Sequence, residues 1–290
     1  MTSLEAQQYC TRLTKKSGSN FYYSFLFLPR ARREAMYTVY AFCKEVDSAV
    51  DEPPPGTDPR QQLHLWRQEL AAAYRGSPTL PVTRSLAEHV RRLSIPQTYF
   101  EELIKGVEMD LTITRYASFE SLSLYCYRVA SVVGLICLHI FGTTSARSQD
   151  YAVNLGMAFQ LTNILRDLRT DAEKGRIYVP QEDLLRFGYS EQDLLRRTYN
   201  LAFADLMRFE AERAQEYYAK AERALQAMPP NERRALTVAE IMRGVYSRIL
   251  RQIQASEFRV FERRVTLSTR HRLLVAAGVW LRSRWLPAPS

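Results

Sequence analysis

The sequence predicts an all-α protein, a single large helical bundle around a central cavity. Three observations carry that prediction. Glycine is scarce, at 11 of 290 residues, while Ala, Leu, Arg, Glu and Gln, all strong helix formers, dominate. No run of alternating apolar and polar residues between hairpin signals marks a strand. Two stretches, 33–52 and 160–178, carry polar side chains at helical spacing between apolar flanks, and such stripes need a shared space to face. With 290 residues the chain exceeds the usual single-domain size, yet one bundle with a substantial core accommodates it. The expectation is one domain over 1–290 with a basic, apolar C-terminal tail over 265–290.

Taken in order, residues 4–28 begin with a short helix. Ser17-Gly18-Ser19-Asn20 then precedes an aromatic run from Phe21, which suits either a mobile flap or a loop with an N-cap. Residues 33–52 form the first striped helix. Arg33, Tyr37, Tyr40, Lys44, Asp47 and Asp51 fall within about 80° on a helical wheel. Pro53-Pro54-Pro55 forbids further helix and closes it. Residues 60–75 place Leu63, Trp66, Leu70 and Tyr74 at helical spacing for the core, and 82–93 form another helix. Pro96 opens the next at its first turn. Near its end, Glu108 and Asp110 read as a network with Arg115 and Tyr116, either on the surface or supporting the site from behind. Residues 119–141 form one very apolar helix, too interrupted by polar residues for a confident membrane span. Its Ala130, Ser131 and Gly134 leave room for close packing or for a cavity wall.

Residues 160–178 form the second striped helix and its exit. Gln160, Asn163, Asp167 and Asp171 lie within about 80° of one another, flanked by Leu161, Ile164, Leu165 and Leu168. Gly175 permits a turn, and Arg176 and Tyr178 follow. Residues 191–228 form long amphipathic helices that Pro229-Pro230 ends. From Arg243 onward ten arginines face two glutamates, so the tail holds most of the net charge of +9. Within it, the apolar run Leu273 to Leu281 with Trp280, flanked by Arg270, Arg272, Arg282 and Arg284 with Trp285 beyond, is too short to span a bilayer. It suits contact with an anionic membrane surface, or a final helix packed on the bundle. No nucleic-acid recognition motif accompanies the charge, and no nucleic-acid partner is expected.

A lone Asp-x-x-x-Asp on a helix is ordinarily a solvated face. Two of them, each in register with cations and with amides or phenols, form oxygen-rich ligand sets of the kind Mg²⁺ takes. Facing each other, they would clamp a diphosphate through bridging ions. Cys10, Cys43, Cys126 and Cys137 form no Cys-x-x-Cys pair, and no signal-peptide run opens the chain. They read as reduced, mostly buried thiols of a cytoplasmic protein. The four histidines share no metal-ligand spacing, and no zinc site is expected.

These stretches resemble the squalene/phytoene synthase family. The resemblance rests on Ser17 to Phe21 through Leu28-Pro29, on Tyr40 to Asp51-Glu52, on Tyr125 to Gly134 and on Gln160 to Pro180, in family order across most of the chain. Phe21 to Pro29 and Gly106-Val-Glu-Met-Asp110-Leu resemble the hopanoid-pathway presqualene diphosphate synthases in particular. It implies an isoprenoid synthase fold and an Mg²⁺-dependent condensation of two farnesyl diphosphates to presqualene diphosphate, with two or three ions. Asp47, Asp51, Asn163, Asp167 and Asp171 would hold the metal. Lys44, Arg166, Arg176 and Tyr178 would bind diphosphate, with Gly18, Ser19, Asn20, Phe21 and Gln160 around it. Tyr125, Val129 and Gly134 would form the substrate wall. Tyr40, Tyr246 and the released diphosphate are candidate proton acceptors. Location is expected in the cytoplasm, peripheral on the inner face of the membrane.

Three positions depart from the family pattern. Ser48 stands where a second aspartate is usual, but it points roughly 100° off the stripe. Lys44 replaces an arginine and loses the bidentate fork. Asn20 replaces a serine. Other outcomes stay open within the resemblance: full squalene formation with NADPH, phytoene formation from two geranylgeranyl chains, or a non-catalytic assembly protein of the same fold. Intact Asp motifs favour catalysis.

Overall fold

The computed structural model describes residues 2–284, with side chains for all of these except Asn20 and 282–284. Trp285 and the remainder of the tail lie outside the described residues. Within them the chain is helical throughout, and its one isolated bridge joins Arg115 to Ile177. Local chemistry sets many boundaries. Thr2 and Glu5 form a capping box that starts α1 (Ser3–Lys16), and Ser19 caps α2 (Asn20–Phe25). α3 (Arg30–Asp51) starts after Pro29 and ends before the proline run. α4 (Pro59–Arg75) has Asp58 as its cap and stops at Gly76 in the left-handed region, where glycine carries no Cβ penalty. α5 (Pro81–Leu93) and α6 (Gln97–Met109) follow. Pro96 stands at the N-cap of α6, one position earlier than expected.

The apolar stretch 119–141 is not one regular helix. It divides into α7 (Phe119–Cys126), a π-helical turn (Tyr127–Ser131) and α8 (Val132–Phe141). Its apolar window has the length and composition to cross a membrane, but half of it is buried inside the protein. Two glycines on neighbouring helices pin the π turn. A Cβ on Gly106 of α6 would meet Arg128 Cβ at 2.7 Å, and one on Gly156 of α9 (Ala146–Glu173) would meet Ser131 Cα at 2.5 Å. Helices approach the turn this closely only because both residues lack side chains.

α9 is the central strut, 28 residues long and so about 42 Å at 1.5 Å per residue. The short α10 (Gln181–Arg186) and α11 (Glu191–Leu195) lead to α12 (Leu201–Gln226), which packs along α9. The expected run of helices over 191–228 therefore begins with a single short one. α13 (Pro230–Ala235) and α14 (Thr237–Ala255) return to the bundle, and α15 (Thr269–Arg284) packs on α14 and α2. One contiguous core cluster draws on most of these helices. All four cysteines are free thiols, with Cys10 and Cys126 buried.

A buried polar knot ties α1, α3 and α5. Gln7 Nε2 donates to the Glu34 carbonyl at 3.1 Å, while Gln7 Oε1 accepts from Ser85 Oγ at 3.0 Å and from His89 Nε2 at 2.9 Å. His89 Nδ1 in turn faces Arg92 Nη2 at 3.1 Å. With an acceptor on one side and a donor on the other, the ring is neutral and carries its hydrogen on Nε2. Burial, with Arg92 nearby, pushes its pKa from 6.5 down to about 4. Between those two values the unfolded chain holds more protons, so stability rises with pH there. The His89 contribution is complete above about pH 6.5 and lost as pH falls toward about 4. Thermal melts should therefore show a larger fall in Tm from about pH 7 to about pH 5 for the native chain than for His89→Gln. Equal falls would remove His89 from this role.

Candidate active site

The two striped helices deliver their carboxylates to one end of the bundle. Gly175, at φ +75°, reverses the chain just past α9. That turn sends two cations back to the last turn of α3: Lys174 Nζ donates to Asp51 Oδ2 at 2.6 Å and Arg176 Nη1 to Asp51 Oδ1 at 2.7 Å. Burial alone would raise the Asp51 pKa, but these hydrogen bonds outweigh it and hold the carboxyl below its usual value. Asp167 is held in the same way. Arg166 Nε donates to it at 3.0 Å, and Arg264 grips both oxygens, at 2.7 and 3.1 Å. Again burial would raise the pKa, and the guanidinium bonds lower it.

Asp47 and Asp171 are different. Asp47 has only the loose approach of Lys44 Nζ at 3.9 Å, and Asp171 has no ion pair among the described residues. Enclosure, then the neighbouring Asp51, pushes Asp47 up to about 6. Enclosure, then Asp167, pushes Asp171 up to about 7. The Asp47 side chain is 53 % exposed, so its surface opens into a recess walled by protein, and its shift reflects those walls rather than direct contact.

A fifth carboxylate joins them. Asp110, expected either on the surface or in support of the site, closes α6 inside the recess. It accepts from Tyr178 Oη at 2.7 Å and from Tyr125 Oη at 3.0 Å. Burial raises its pKa despite these bonds, and its charge adds to the rise at both Asp47 and Asp171. Glu108 pairs with Arg67, and Arg115 with Glu191. The bridge between Arg115 and Ile177 explains the placement: Ile177 N donates to the Thr114 carbonyl at 3.0 Å, which lays Tyr178 beside Tyr125 with ring centroids 5.1 Å apart.

The recess, about 250 Å³, is lined by Tyr40, Lys44, Asp47, Asp110, Tyr125 and Gln160 among others. Tyr40, Cys43, Val129 and Gln160 also line an apolar cavity of about 230 Å³. Gly134, Val133, Gly156 and Phe159 form its walls, with Phe25, Phe141 and Tyr151 among the bulky side chains that narrow it. Phe21 enters the cavity and stacks on Tyr246 at 5.6 Å, and Tyr246 stacks on Phe159 at 4.5 Å. Gly18 and Ser19 line neither space. Ser19 Oγ caps α2, and the Gly18 carbonyl accepts from Arg272 at 3.3 Å. The side chain of Asn20 lies outside the described residues.

Divalent metal fits these donors. They are oxygen-rich, and two carboxylates lack a close cation. Asn163 Oδ1 is buried without a hydrogen-bond partner among the described residues, while its Nδ2 donates to Gln160 Oε1 at 3.3 Å. Among the described residues no three of these carboxylates are gathered into one cage, and Arg and Lys hold Asp51 and Asp167.

This arrangement has known counterparts. The profile of the squalene/phytoene synthases matches residues 14–271. The chain belongs to the squalene/phytoene synthase family. Among curated relatives, it is 36 % identical to the 15-cis-phytoene synthase of Synechocystis over 97 % of this chain and 86 % of the relative. It is also 36 % identical to the phytoene synthase of Mycobacterium tuberculosis, over 96 % and 92 %. Among solved structures, squalene synthase HpnC from Alicyclobacillus acidocaldarius superposes with TM-score 0.78 at 30 % identity, covering 88 % of this chain and 95 % of that one. A dehydrosqualene synthase gives TM-score 0.83 at 27 % identity, covering 97 % and 98 %. The fold is accordingly that of the isoprenoid synthases, and the family's chemistry is head-to-head prenyl transfer with divalent metal.

Sequence reasoning left Asp110 between a surface and a supporting role, and missed Lys174 and Arg264. Asp110 was visible as an acid near the end of a helix, but its tyrosine partners come from distant segments. Arg264 lies in an irregular segment, where no periodicity could assign it a direction. Replacing Arg264 with Ala should lower kcat/KM for a prenyl diphosphate about tenfold, as expected for loss of a bidentate charged pair at ~1.4 kcal/mol. Arg264→Lys, which keeps charge without the fork, should fall between. Steady-state kinetics on folded variants check this, and unchanged kinetics in Arg264→Ala would exclude the pair from function.

Proposed function

We infer that this chain joins two farnesyl diphosphates head to head to give presqualene diphosphate. The observation that carries the reading is the junction of the two spaces: a polar recess lined by Lys44, Asp47 and Asp110 shares Tyr40 and Gln160 with an apolar cavity. A diphosphate suits the first and a prenyl chain the second, with burial contributing about 0.8 kcal/mol per methylene.

On this reading Asp47, Asp51, Asp167, Asp171 and Asn163 Oδ1 hold Mg²⁺. Bound there, the metal neutralises the diphosphate and stabilises the charge that builds as it leaves. Lys44, Arg166 and Arg176 bind the same group, and Lys174 and Arg264 stand beside them as further donors. The C–O bond breaks with its electron pair on diphosphate and leaves an allylic cation. The C2–C3 π electrons of the second farnesyl form the new bond, and loss of a proton closes the cyclopropane. Burial keeps the Tyr125 and Tyr178 hydroxyls far above their usual pKa, so both act as neutral donors to Asp110 rather than as bases. Tyr40 stands where the two spaces meet, and the freed diphosphate is the group able to take the proton. The aromatic stack of Phe21, Tyr246 and Phe159 keeps water from the cation.

A second reading is phytoene formation from geranylgeranyl diphosphate, favoured by the names of the curated relatives. Along α9 the cavity lining runs from Asn163 to Tyr151, about 18 Å at 1.5 Å per residue. Incubation with each diphosphate and Mg²⁺, with and without NADPH, followed by mass spectrometry, separates these readings. Presqualene diphosphate from farnesyl diphosphate, independent of NADPH and abolished by a chelator, is the expected result. Squalene formed only with NADPH, or phytoene formed only from the longer substrate, would replace it. No turnover of either substrate by folded protein would favour a non-catalytic role.

A further inference from the structure

The exit from α9 is tied from behind by a side chain outside the site. α9 ends in a Schellman motif: Gly175 N donates to the Ala172 carbonyl and Arg176 N to the Asp171 carbonyl, both at 2.9 Å. That motif does not use the Gly175 carbonyl, which lies in the chain between the two cations that hold Asp51. Arg115 takes it. Its Nη1 donates to the Gly175 and Thr114 carbonyls, each at 2.7 Å, and its Nε donates to Glu191 Oε2 at 2.8 Å. Glu191, the first residue of α11, accepts on its other oxygen from Gln181 Nε2 at 2.9 Å. The bonds from Arg115 and then Gln181 hold the Glu191 carboxyl below its ordinary pKa, so it stays charged beside the guanidinium.

Arg115 lines neither the recess nor the apolar cavity. The pairing beside it does not need its side chain: Ile177 N donates to the Thr114 carbonyl, Gln181 N to the Tyr116 carbonyl at 2.8 Å and Glu182 N to the Ala117 carbonyl at 3.1 Å. Backbone bonds therefore fix the segment that carries Tyr178. At Gly175 the tie is a side chain. A guanidinium suits it, because two carbonyls and a carboxylate in different directions need a planar fork of N–H groups, where an ammonium offers a single point.

We propose that Arg115, oriented by Glu191, is a positioning residue for the diphosphate site: it fixes the turn whose flanking side chains, Lys174 and Arg176, bind the substrate diphosphate. In the resting arrangement those two cations also hold the turn, through Asp51, at 2.6 and 2.7 Å. Once they serve diphosphate that second hold is gone, and Arg115 keeps the turn in place from the opposite side. This role rests on the diphosphate reading of the site but not on which prenyl chain enters it.

Titration calorimetry of the full-length protein with inorganic diphosphate and Mg²⁺ tests it. Arg115→Gln should bind diphosphate about tenfold more weakly than the native chain, the scale expected for loss of charge-assisted hydrogen bonds. Arg115→Lys, which keeps the charge without the fork, should recover little of that loss. Full recovery would mean that Arg115 acts by charge alone and would overturn the proposal. Glu191→Gln should weaken binding about threefold, and it carries the test if Arg115→Gln does not fold. In an Arg176→Gln background, Arg115→Gln should cost about threefold rather than about tenfold, because one of the groups it places is already missing. An undiminished loss in that background, which a merely structural role would give, overturns the proposal, as does native affinity in Arg115→Gln or in Glu191→Gln. Absence of Mg²⁺-dependent diphosphate binding by the native chain would instead remove the diphosphate reading, and this role with it.

Discussion

Carboxylates from three helices converge on one enclosed mouth, and the open end of the bundle is built around offsetting their repulsion. Asp47 and Asp51 come from α3, Asp110 from α6, and Asp167 and Asp171 from α9. Solvent cannot screen them fully there, so each needs a local answer. Asp51 and Asp167 are tied to guanidinium and ammonium groups. Asp110 is capped by two phenols. Asp47 and Asp171 are left with raised proton affinity. A divalent cation answers the same problem more completely. On the proposed reading, Lys174, Arg176 and Arg264 would then be free to turn from the aspartates toward a diphosphate. The salt bridges are then a resting arrangement of groups that serve another anion.

Much of this was legible in the sequence because helices convert spacing directly into direction. The stripe through Tyr40, Lys44, Asp47 and Asp51, and that through Gln160, Asn163, Asp167 and Asp171, could be read off one periodicity, and the structure places Tyr40, Lys44, Asp47, Gln160 and Asn163 on the linings of the two spaces. Where direction depends on tertiary contacts, the sequence was silent. Spacing leaves Asp110 between a surface and a supporting role until the bridge between Arg115 and Ile177 brings Tyr178 to it. Arg264 sits in irregular chain that only the fold returns to α9. Gly18 and Ser19 resembled diphosphate ligands, but in this structure their groups serve the backbone of the flap and Arg272.

The polar and apolar halves of the site are separate in character yet share a boundary of four residues, Tyr40, Cys43, Val129 and Gln160. A boundary that narrow matters for carbocation chemistry, because charge must form beside the diphosphate while the chain stays dry. Tyr40 and Gln160 offer polarity on one side of it, and Cys43 and Val129 give the other side a neutral surface. Phe21 brings α2 into the wall of the apolar cavity, where it stacks on Tyr246.

The π turn between α7 and α8 is a dislocation in phase. Its wider winding means that residues before and after it are counted from two different origins around the same axis. Before it, Tyr125 is aimed at Asp110; after it, Val133, Gly134 and Cys137 face the prenyl cavity. An unbroken α-helix would hold those two directions in a fixed angular relation. With the dislocation clasped between Gly106 and Gly156, the phenol aimed at the diphosphate end and the residues that shape the hydrocarbon end stand at an angular offset that an unbroken α-helix of the same residues would not give.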